Sequence, residues 1–515
     1  MKPRVKYKQM VGEVRRILLL AVVLFVLILS FFSYQHFFVK PPSPYPPGMS
    51  DVDKAAMKAD GIQANELREV TDALKRNDSG KVIYGDRFMR WTVLAYTLWR
   101  VDQGDLTIIK AMEDLMISYY NHAWYPFVKN RPPMPFEGLI QYFRGDGTWE
   151  NYWCDYKPVY SAAFVLEYYL LSCFDREWGI QNYPILKNVT DSLLKMWLPE
   201  RHQPSAYVDS DGTTFQIMNI TCSVDSAFVY AALISSSQIS KVLMNDTHSY
   251  ENYTKYAKDL ITHFYNQTWD WFPTSIFGAN PEEEYGTALQ VGTTLPFIDA
   301  DDKIDLCERY LVNNLRVGTS WLLKWKKSDT SPSSRSVTAA AGLALKYPQI
   351  SYDILNAYAD AALSNDPWFL TETDEYEGRD PIWVSGKYLQ TYVFLKNRML
   401  TGRIPFSPKL MGGSLRFETS FPSDPSGLHL VNGTFPTLLG IMEVKASVTE
   451  NALKYVIAGA PHQNVTVKFH VSFEPDVSCD ASMWGYTDDR NINVTVVWFI
   501  PDGMVEIEIE KPSTL

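Results

Sequence analysis

The sequence predicts a mainly α-helical protein that combines an N-terminal transmembrane helix, a closed (α/α)6 toroid of six helical hairpins and a C-terminal antiparallel β-sandwich. Three observations predict this fold. Residues 17–39 are almost all apolar, amphipathic helical stripes recur over 51–405, and apolar residues alternate strictly with polar ones within 410–515. The chain divides accordingly into a tail at 1–16, an anchor at 17–39, a Pro-rich stalk at 40–50, a catalytic or binding toroid at 51–405 and an accessory sandwich at 410–515.

The composition supports a large folded protein with no role in nucleic-acid binding. The 515 residues are 46% hydrophobic and 14% aromatic, which suits an extensive ordered core. The net charge of −11 argues against a nucleic-acid partner, because such a protein needs a basic surface.

The first 50 residues predict a single-pass membrane anchor. The apolar run Ile17–Val39 has the length that a membrane-spanning helix needs. Basic residues precede this run at Lys2, Arg4, Lys6, Lys8, Arg15 and Arg16. By the positive-inside rule the N-terminus is cytosolic, and the chain after Lys40 lies at the cell surface or in the lumen of the secretory pathway. A cleaved signal peptide is the alternative, but the run is long and no small-residue cleavage site follows it.

Glycosylation sequons and cysteines bear on the same question. Nine Asn-x-Ser/Thr sequons predict an extracytosolic glycoprotein. They start at Asn77, Asn188, Asn219, Asn245, Asn252, Asn266, Asn432, Asn464 and Asn493.

The five cysteines form no disulfide framework; Cys154 and Cys222, each just before a predicted helix, could pair or be buried free thiols. No CxxC or HExxH spacing is present, so we predict no transition-metal site and no cofactor.

Two kinds of helix alternate along the predicted toroid. Outer helices have one apolar stripe, as in Ile185, Val189 and Leu193, and a polar opposite face. They are predicted near 51–75, 105–122, 183–198, 249–267, 302–325 and 351–363. Inner helices are apolar or small-residued all round, which is typical of helices buried on most sides. They begin near Thr92, Ser161, Ser226, Thr287, Thr338 and Ser385. Six such pairs can close into a ring, and an open solenoid is the alternative.

The C-terminal region has the period of β-strands. Apolar residues alternate with polar ones over 465–473 and 505–510, and Pro501-Asp502-Gly503 provides a turn. This pattern predicts antiparallel strands in a small β-sandwich.

The connectors between helices are unequal, and the unequal set predicts a working surface. Connectors from inner to outer helices are short. Connectors from outer to inner helices are longer, at about 76–87, 123–157, 199–222, 268–283, 326–334 and 364–382. In a helical toroid the longer ones all emerge at one end, around the N-termini of the inner helices. They are rich in aromatic rings, which stack on sugars, and in carboxylates, which serve as general acids and bases.

Two segments of these connectors, Trp149–Lys157 and Glu372–Trp383, resemble the mouth loops of six-hairpin glycosidases. Residues 50–405 also resemble the architecture of that superfamily. The resemblance implies a glycoside hydrolase with paired carboxylates at the toroid mouth and a glycan substrate. The candidate catalytic residues are Asp155, Asp225 and Glu377. The candidate substrate-binding residues are Trp149, Trp153, Tyr156, His202, Tyr207, Asp211, Trp271, Arg379 and Trp383. Simpler interpretations remain: tryptophans that fill the core, Asp211 in a turn, Asp225 as a helix N-cap and Glu377 in a surface loop.

Two other functions stay open. A polysaccharide lyase or uronate epimerase would use His202 or Tyr207 to abstract a proton and Arg379 to neutralise the uronate. A non-catalytic surface protein would use the same toroid to bind glycans or to act as a scaffold.

Overall fold

In the computed structural model, helices make up most of the described residues up to 401, and the strands of two larger sheets follow from residue 415. The structure describes residues 48–131, 134, 136–150, 156–210, 215–219, 221–264, 308–309, 311–324, 337–344, 346–364, 381–401, 415–420, 430–438, 440–449, 451–459, 464–501 and 503–512. The predicted anchor at 17–39 lies outside these ranges. Among the helices within them, none combines the length and the apolar character that a membrane crossing requires.

The helical region contains eleven labelled helices within the described ranges. They are α1 (Asp51–Arg76), α2 (Ala95–Asp102), α3 (Ile108–Ala123), α4 (Pro158–Phe174), α5 (Arg176–Gln181), α6 (Tyr183–Lys195), α7 (Ser223–Val242), α8 (Thr247–His263), α9 (Ala339–Leu343), α10 (Pro348–Ser364) and α11 (Pro381–Thr401). A helical turn at Gly85–Arg87 and a π-helical stretch at Phe88–Leu94 run directly into α2.

Five of the six predicted outer helices are confirmed as α1, α3, α6, α8 and α10. The outer helix predicted at 302–325 is wrong over its described second half. There, β7 (Arg316–Val317) pairs with β8 (Ser320–Leu323) in a hairpin after a π-helical stretch at Leu311–Leu315. Gly318 forms the turn with a φ of +58°, which is a left-handed conformation that glycine adopts readily and that ends a helix.

The inner helices are buried, as their composition predicts. In α4 every residue from Pro158 to Cys173 is buried. Helix α4 packs against α7 and against the π-helical stretch, and α11 packs against that stretch and α2. The inner helix predicted near Thr287 lies outside the described residues.

The last helix of this region packs against the first, which brings its two ends together. Gln63 of α1 donates to the Ser385 hydroxyl of α11 at 2.7 Å and accepts from the Thr92 hydroxyl at 2.8 Å. The Tyr392 hydroxyl donates to Asp53 at 2.8 Å. An open solenoid would leave these ends apart, so the contacts favour a ring.

The strands form two sheets with one apolar core between them. The strands are β9 (Leu415–Ser420), β10 (Leu430–Thr437), β11 (Gly440–Val448), β12 (Ala452–Ala458), β13 (Val465–His470), β14 (Asp476–Cys479), β15 (Met483–Asp489), β16 (Val494–Ile500) and β17 (Val505–Glu510). One sheet has the order β10-β11-β12-β17-β14 and the other β15-β16-β13-β9. The side chains of Tyr455 and Phe469, one from each sheet, meet edge to face at 5.8 Å.

The prediction of antiparallel strands holds for all described pairs of this region except one. Strand β9 runs parallel to β13. Helix α11 packs on β9 and β10. The predicted boundary at 405–410 falls outside the described residues, so the division into domains stays a prediction.

The first three long connectors lie together, as predicted. Strand β1 (Val82–Tyr84) in the first pairs with β2 (Tyr142–Arg144) in the second. Val208 in the third donates its N–H to the Tyr156 carbonyl in the second at 2.9 Å. The third connector also holds the short hairpins β3–β4 (Trp197–Leu198 with Gln203–Pro204) and β5–β6 (Val208–Ser210 with Phe215–Ile217). The N-termini of three inner helices therefore open beneath one group of connectors.

Candidate active site

Asp225 lies in the first turn of α7, where that helix meets the third connector. The N-cap of α7 is Cys222, which makes no side-chain capping bond, so the interpretation of Asp225 as the N-cap is wrong. The Asp225 side chain points into the protein, and the residue is only 9% exposed. Cys222 is a buried free thiol, and burial raises its pKa to about 12. Cys154, its possible partner, lies outside the described residues.

Asp225 and three other charged side chains, from three inner helices in all, come together at this site. The pKa of the Asp225 carboxyl is raised to about 6, mainly by burial; Lys157 and Arg90 act to lower it, and the nearby Asp86 carboxylate acts to raise it. Asp86 and Arg90 belong to the first inner helix, and Lys157 is the N-cap of α4. The site therefore holds two carboxylates and two cations in a largely water-excluded position.

Asp86 is the second buried carboxylate of this site. It is 2% exposed, and its Oδ1 atom has no hydrogen-bond partner among the residues that the structure describes. Gly85 makes the close packing possible: its N–H donates to the Gln141 carbonyl at 2.7 Å, and a Cβ atom here would lie 2.8 Å from the Tyr119 hydroxyl. A buried carboxylate oxygen without a partner costs stability, so its retention points to a functional role.

Aromatic rings and cations form one wall of the site. The guanidinium of Arg90 lies 4.3 Å from the Trp91 ring centroid and 4.4 Å from that of Phe228. Trp383, at the start of α11, lies 6.0 Å from Trp91, and Lys387 lies 5.0 Å from the Trp383 ring. Trp91 and Phe228 are fully buried, so only the half-buried Trp383 among these rings can meet a sugar, whose hydroxyls the charged groups could hydrogen-bond.

Only part of the predicted site falls within the described residues. Asp155, Glu377, Trp153, Asp211, Trp271 and Arg379 lie outside them. Asp225 and Trp383 flank the first inner helix.

Three further predicted residues lie within the described ranges, and the side chain of Tyr156 has a packing role. Tyr156 is fully buried, with its hydroxyl 2.9 Å from that of Ser192. Trp149 is half-buried, and its backbone forms an isolated antiparallel β-bridge with Phe143. Tyr207 is half-buried, and its carbonyl accepts from the Ser205 hydroxyl.

His202 belongs to a separate group. Its Nδ1 donates to Asp259 at 3.0 Å, and its ring stacks on His263. It is not among the groups that shift the pKa of Asp225.

Asp86, Arg90 and Lys387 are not among the residues predicted from the sequence. A signal for Asp86 was present: it precedes Thr92 by six residues, as Asp155 precedes Ser161. Arg90 and Lys387 lie inside apolar helical stretches and carry no comparable signal.

Comparisons with known proteins find distant similarities. Neither a protein-family model nor a curated protein matches the chain. An alpha-L-rhamnosidase structure from Dictyoglumus thermophilum matches at 15% identity and a TM-score of 0.47, over 83% of this chain and 46% of the other. The alpha-L-rhamnosidase of Streptomyces avermitilis, complexed with L-rhamnose, matches at 13% and 0.40, over 83% and 38%. The GH76 alpha-mannanase of Bacteroides thetaiotaomicron matches at 10% and 0.38, over 66% and 97%.

The structural neighbours are thus six-hairpin toroid glycoside hydrolases, the class that the sequence resembles. The chain spans less than half the length of the two rhamnosidase chains. Likenesses at these TM-scores assign neither a substrate nor an activity to this chain.

Proposed function

We propose that this chain is a glycoside hydrolase whose helical region is an (α/α)6 six-hairpin toroid and whose active site is the mouth of that toroid. One observation carries the proposal. Two buried carboxylates, Asp86 and Asp225, enter one site from the starts of two inner helices, and they are close enough for Asp86 to raise the pKa of Asp225. A pair of carboxyl groups in unlike environments is what glycosidic cleavage requires.

Asp225 acts as the general acid. Its raised pKa keeps a proton available in mildly acidic solution, and that proton passes to the glycosidic oxygen as the bond from this oxygen to the anomeric carbon breaks. The departing proton leaves Asp225 as an anion. The start of α7, with its free N–H groups, and the cations Lys157 and Arg90 stabilise this charge.

Asp86 is the second carboxylate. It either activates a water molecule on the opposite face of the sugar or attacks the anomeric carbon itself. A separation of about 6.5–9.5 Å between the two carboxyl groups would give inversion, and about 5–5.5 Å would give retention. Trp383, which is half-buried, provides a ring face on which the sugar stacks, and the fully buried Trp91 supports it from within the core.

We propose further that the protein is anchored by residues 17–39 with the toroid outside the cytosol. The accessibility of the sequons supports this topology. Among sequon asparagines with described side chains, six are exposed: Asn77, Asn188, Asn219, Asn245, Asn464 and Asn493. Glycan transfer requires a surface position, which these residues have.

The test is hydrolysis of a glycan panel by the full-length protein and its variants. We expect Asp225→Ala and Asp86→Asn each to lose about 10²–10⁴-fold in rate, the usual contribution of a general acid or base. Asp360→Ala, on the exposed side of α10, is the matched control and keeps full activity.

Three results would contradict the proposal in different ways. Hydrolysis that survives both substitutions would remove Asp225 and Asp86 from catalysis. The absorbance of an unsaturated uronide product would show a lyase, and glycan binding without turnover would show a binding or scaffold protein.

A further inference from the structure

Three metal-binding side chains meet where the hairpin β3–β4 packs on the end of α8. They are His202 in the hairpin turn and Asp259 with His263 one helical turn apart on α8. The Nδ1 atom of His202 lies 3.0 Å from Asp259 Oδ1, and the Nδ1 atom of His263 lies 3.3 Å from the same oxygen. One ligand atom from each residue falls within 4.8 Å of the others.

We propose that His202, Asp259 and His263 bind one divalent transition-metal ion of the zinc class. Two imidazoles and one carboxylate are a donor set that zinc prefers. Ligand atoms around a tetrahedral zinc ion lie roughly 3.3 Å apart, because Zn–N and Zn–O bonds are about 2.0–2.1 Å long. The distances of 3.0 and 3.3 Å match this spacing.

The surroundings of the cluster allow an ion to enter and be held. The three side chains are 31–44% exposed, so the ion has a path from solvent. His202 adopts a φ of +55°, a conformation uncommon for a residue other than glycine, and this backbone turn directs its ring onto that of His263 at 3.7 Å.

Binding requires a small rearrangement with a defined proton balance. In each neutral imidazole the proton moves from Nδ1 to Nε2 by exchange with solvent, so that the ring stays neutral and the Nδ1 lone pair is free to bind the metal. His263 gives up its 2.9 Å bond to the Asp259 carbonyl, and the two parallel rings tilt so that their nitrogens face the ion.

The ion would join the third connector to an outer helix. The hairpin already rests on α8 through Trp197, which meets Tyr256 edge to face at 4.9 Å. Gln203, next to His202, accepts from the Ser226 hydroxyl at 2.9 Å, and Ser226 follows Asp225 in α7. The metal would therefore fix the position of the hairpin β3–β4, which contacts the residue next to Asp225 through the bond between Gln203 and Ser226.

The sequence pattern hides this site. Asp259 and His263 have the i,i+4 spacing of helical metal ligands, but the third ligand is contributed by a different connector far along the chain. A search for local motifs therefore finds none.

The test is calorimetric titration of the EDTA-treated, dialysed full-length protein with zinc chloride, a measurement that does not depend on the proposed hydrolase activity. We expect one zinc ion per chain for the wild type and for the control His248→Gln, whose exposed imidazole lies at the other end of α8. Asp259→Asn and His202→Gln should each weaken binding at least about tenfold. Zinc should raise the melting temperature of the wild type and not that of these two variants.

The contrary results are equally definite. A wild type that binds no zinc would show a metal-free hydrogen-bonded trio and overturn the proposal. So would zinc binding that is equal in all four proteins or that is lost in His248→Gln. If a variant melts early without metal, His263→Gln replaces it, because its side chain is 44% exposed.

Discussion

At neutral pH the Asp225 carboxyl group is ionised in the folded chain, although burial makes the ionised form less stable. Folding raises its pKa from 3.8 to about 6, mainly through burial. A raised carboxyl pKa means that the folded state binds the proton more tightly than the unfolded state. The stability that this group contributes is therefore full below pH 4 and is lost as the pH rises through 6.

Asp225→Asn should accordingly stabilise the protein at pH 7.5. The expected gain is about 3 kcal/mol, since one pKa unit is worth about 1.4 kcal/mol. Denaturant unfolding of both proteins at pH 7.5 and pH 4 measures it, and the gain should shrink toward zero at the lower pH. A variant less stable than the wild type at pH 7.5 would show that the carboxylate is not strained by burial.

The site residues differ in how far the sequence predicts them. Asp225 is predictable because it begins an apolar inner helix, where a carboxylate has no packing role. Asp86 repeats the offset of Asp155 but lies in a connector with few aromatic residues. His202 was given a substrate-binding role because of its connector, and only the fold shows that it faces Asp259 and His263.

At the scale of elements, the first and last inner helices approach unusually closely. Gly386 of α11 faces Trp91 of the π-helical stretch, and a Cβ atom at 386 would collide with the Trp91 Cβ and lie 3.0 Å from its Cα. Neither backbone can move away without disturbing the wall of the candidate active site. Gly386 therefore sets the distance between Trp91 and Trp383.

Gly386→Ala should destabilise the protein by about 1–3 kcal/mol, the usual cost of overpacking. The same substitution at Gly61 provides the control. Gly61 is exposed in α1 with open space around it, so Gly61→Ala should stabilise the protein by about 0.5–1 kcal/mol through helix propensity. Opposite shifts in thermal unfolding check the pair; equal shifts would contradict the close approach.

The period of apolar residues predicts a helix well where one face is apolar and the opposite face is polar. It predicts a helix poorly where a turn interrupts the pattern. Helices α1, α6 and α10 have a polar face and an apolar face, and their positions follow from the sequence. The apolar residues at 311–323 suit a helical stripe, but Gly318 and the β-branched Val317 and Thr319 favour a hairpin there.

At the scale of the whole molecule, a buried ion pair joins the ends of the helical region. Lys396 of α11 lies 2.7 Å from Asp102 of α2, whose side chain is 3% exposed. Burial raises the pKa of Asp102, and Lys396 opposes that shift. The lysine therefore opposes the effect of burial on this carboxyl group at the seam of the ring.

Lys396→Met should destabilise the protein by about 3 kcal/mol, because it leaves a buried charge without its partner. The double variant Asp102→Asn with Lys396→Met should recover part of the loss. Lys187→Met removes an exposed partner of Asp191 and should cost much less. Equilibrium unfolding measures all three; equal losses for Lys396→Met and Lys187→Met would show that the seam pair is not special.

The predicted topology of the whole chain has its own test. A variant in which a cleavable secretion signal replaces residues 1–46 should be released from membranes. The full-length chain should remain in the membrane during alkaline carbonate extraction. Treatment with an N-glycosidase should reduce the apparent mass of both forms. A full-length chain that is extracted by carbonate, or that carries no glycan, would contradict the anchored, extracytosolic topology.

The pH dependence of kcat/KM for cleavage of the best glycan tests the central claim most directly. If Asp225 is the general acid, the wild-type rate falls as the pH rises through about 6, where the carboxyl loses its proton. In Asp225→Asn the rate should be about 10²–10⁴-fold lower, and the fall near pH 6 should be absent. The same fall in the variant, at a rate close to that of the wild type, would contradict the assignment of Asp225 as the acid.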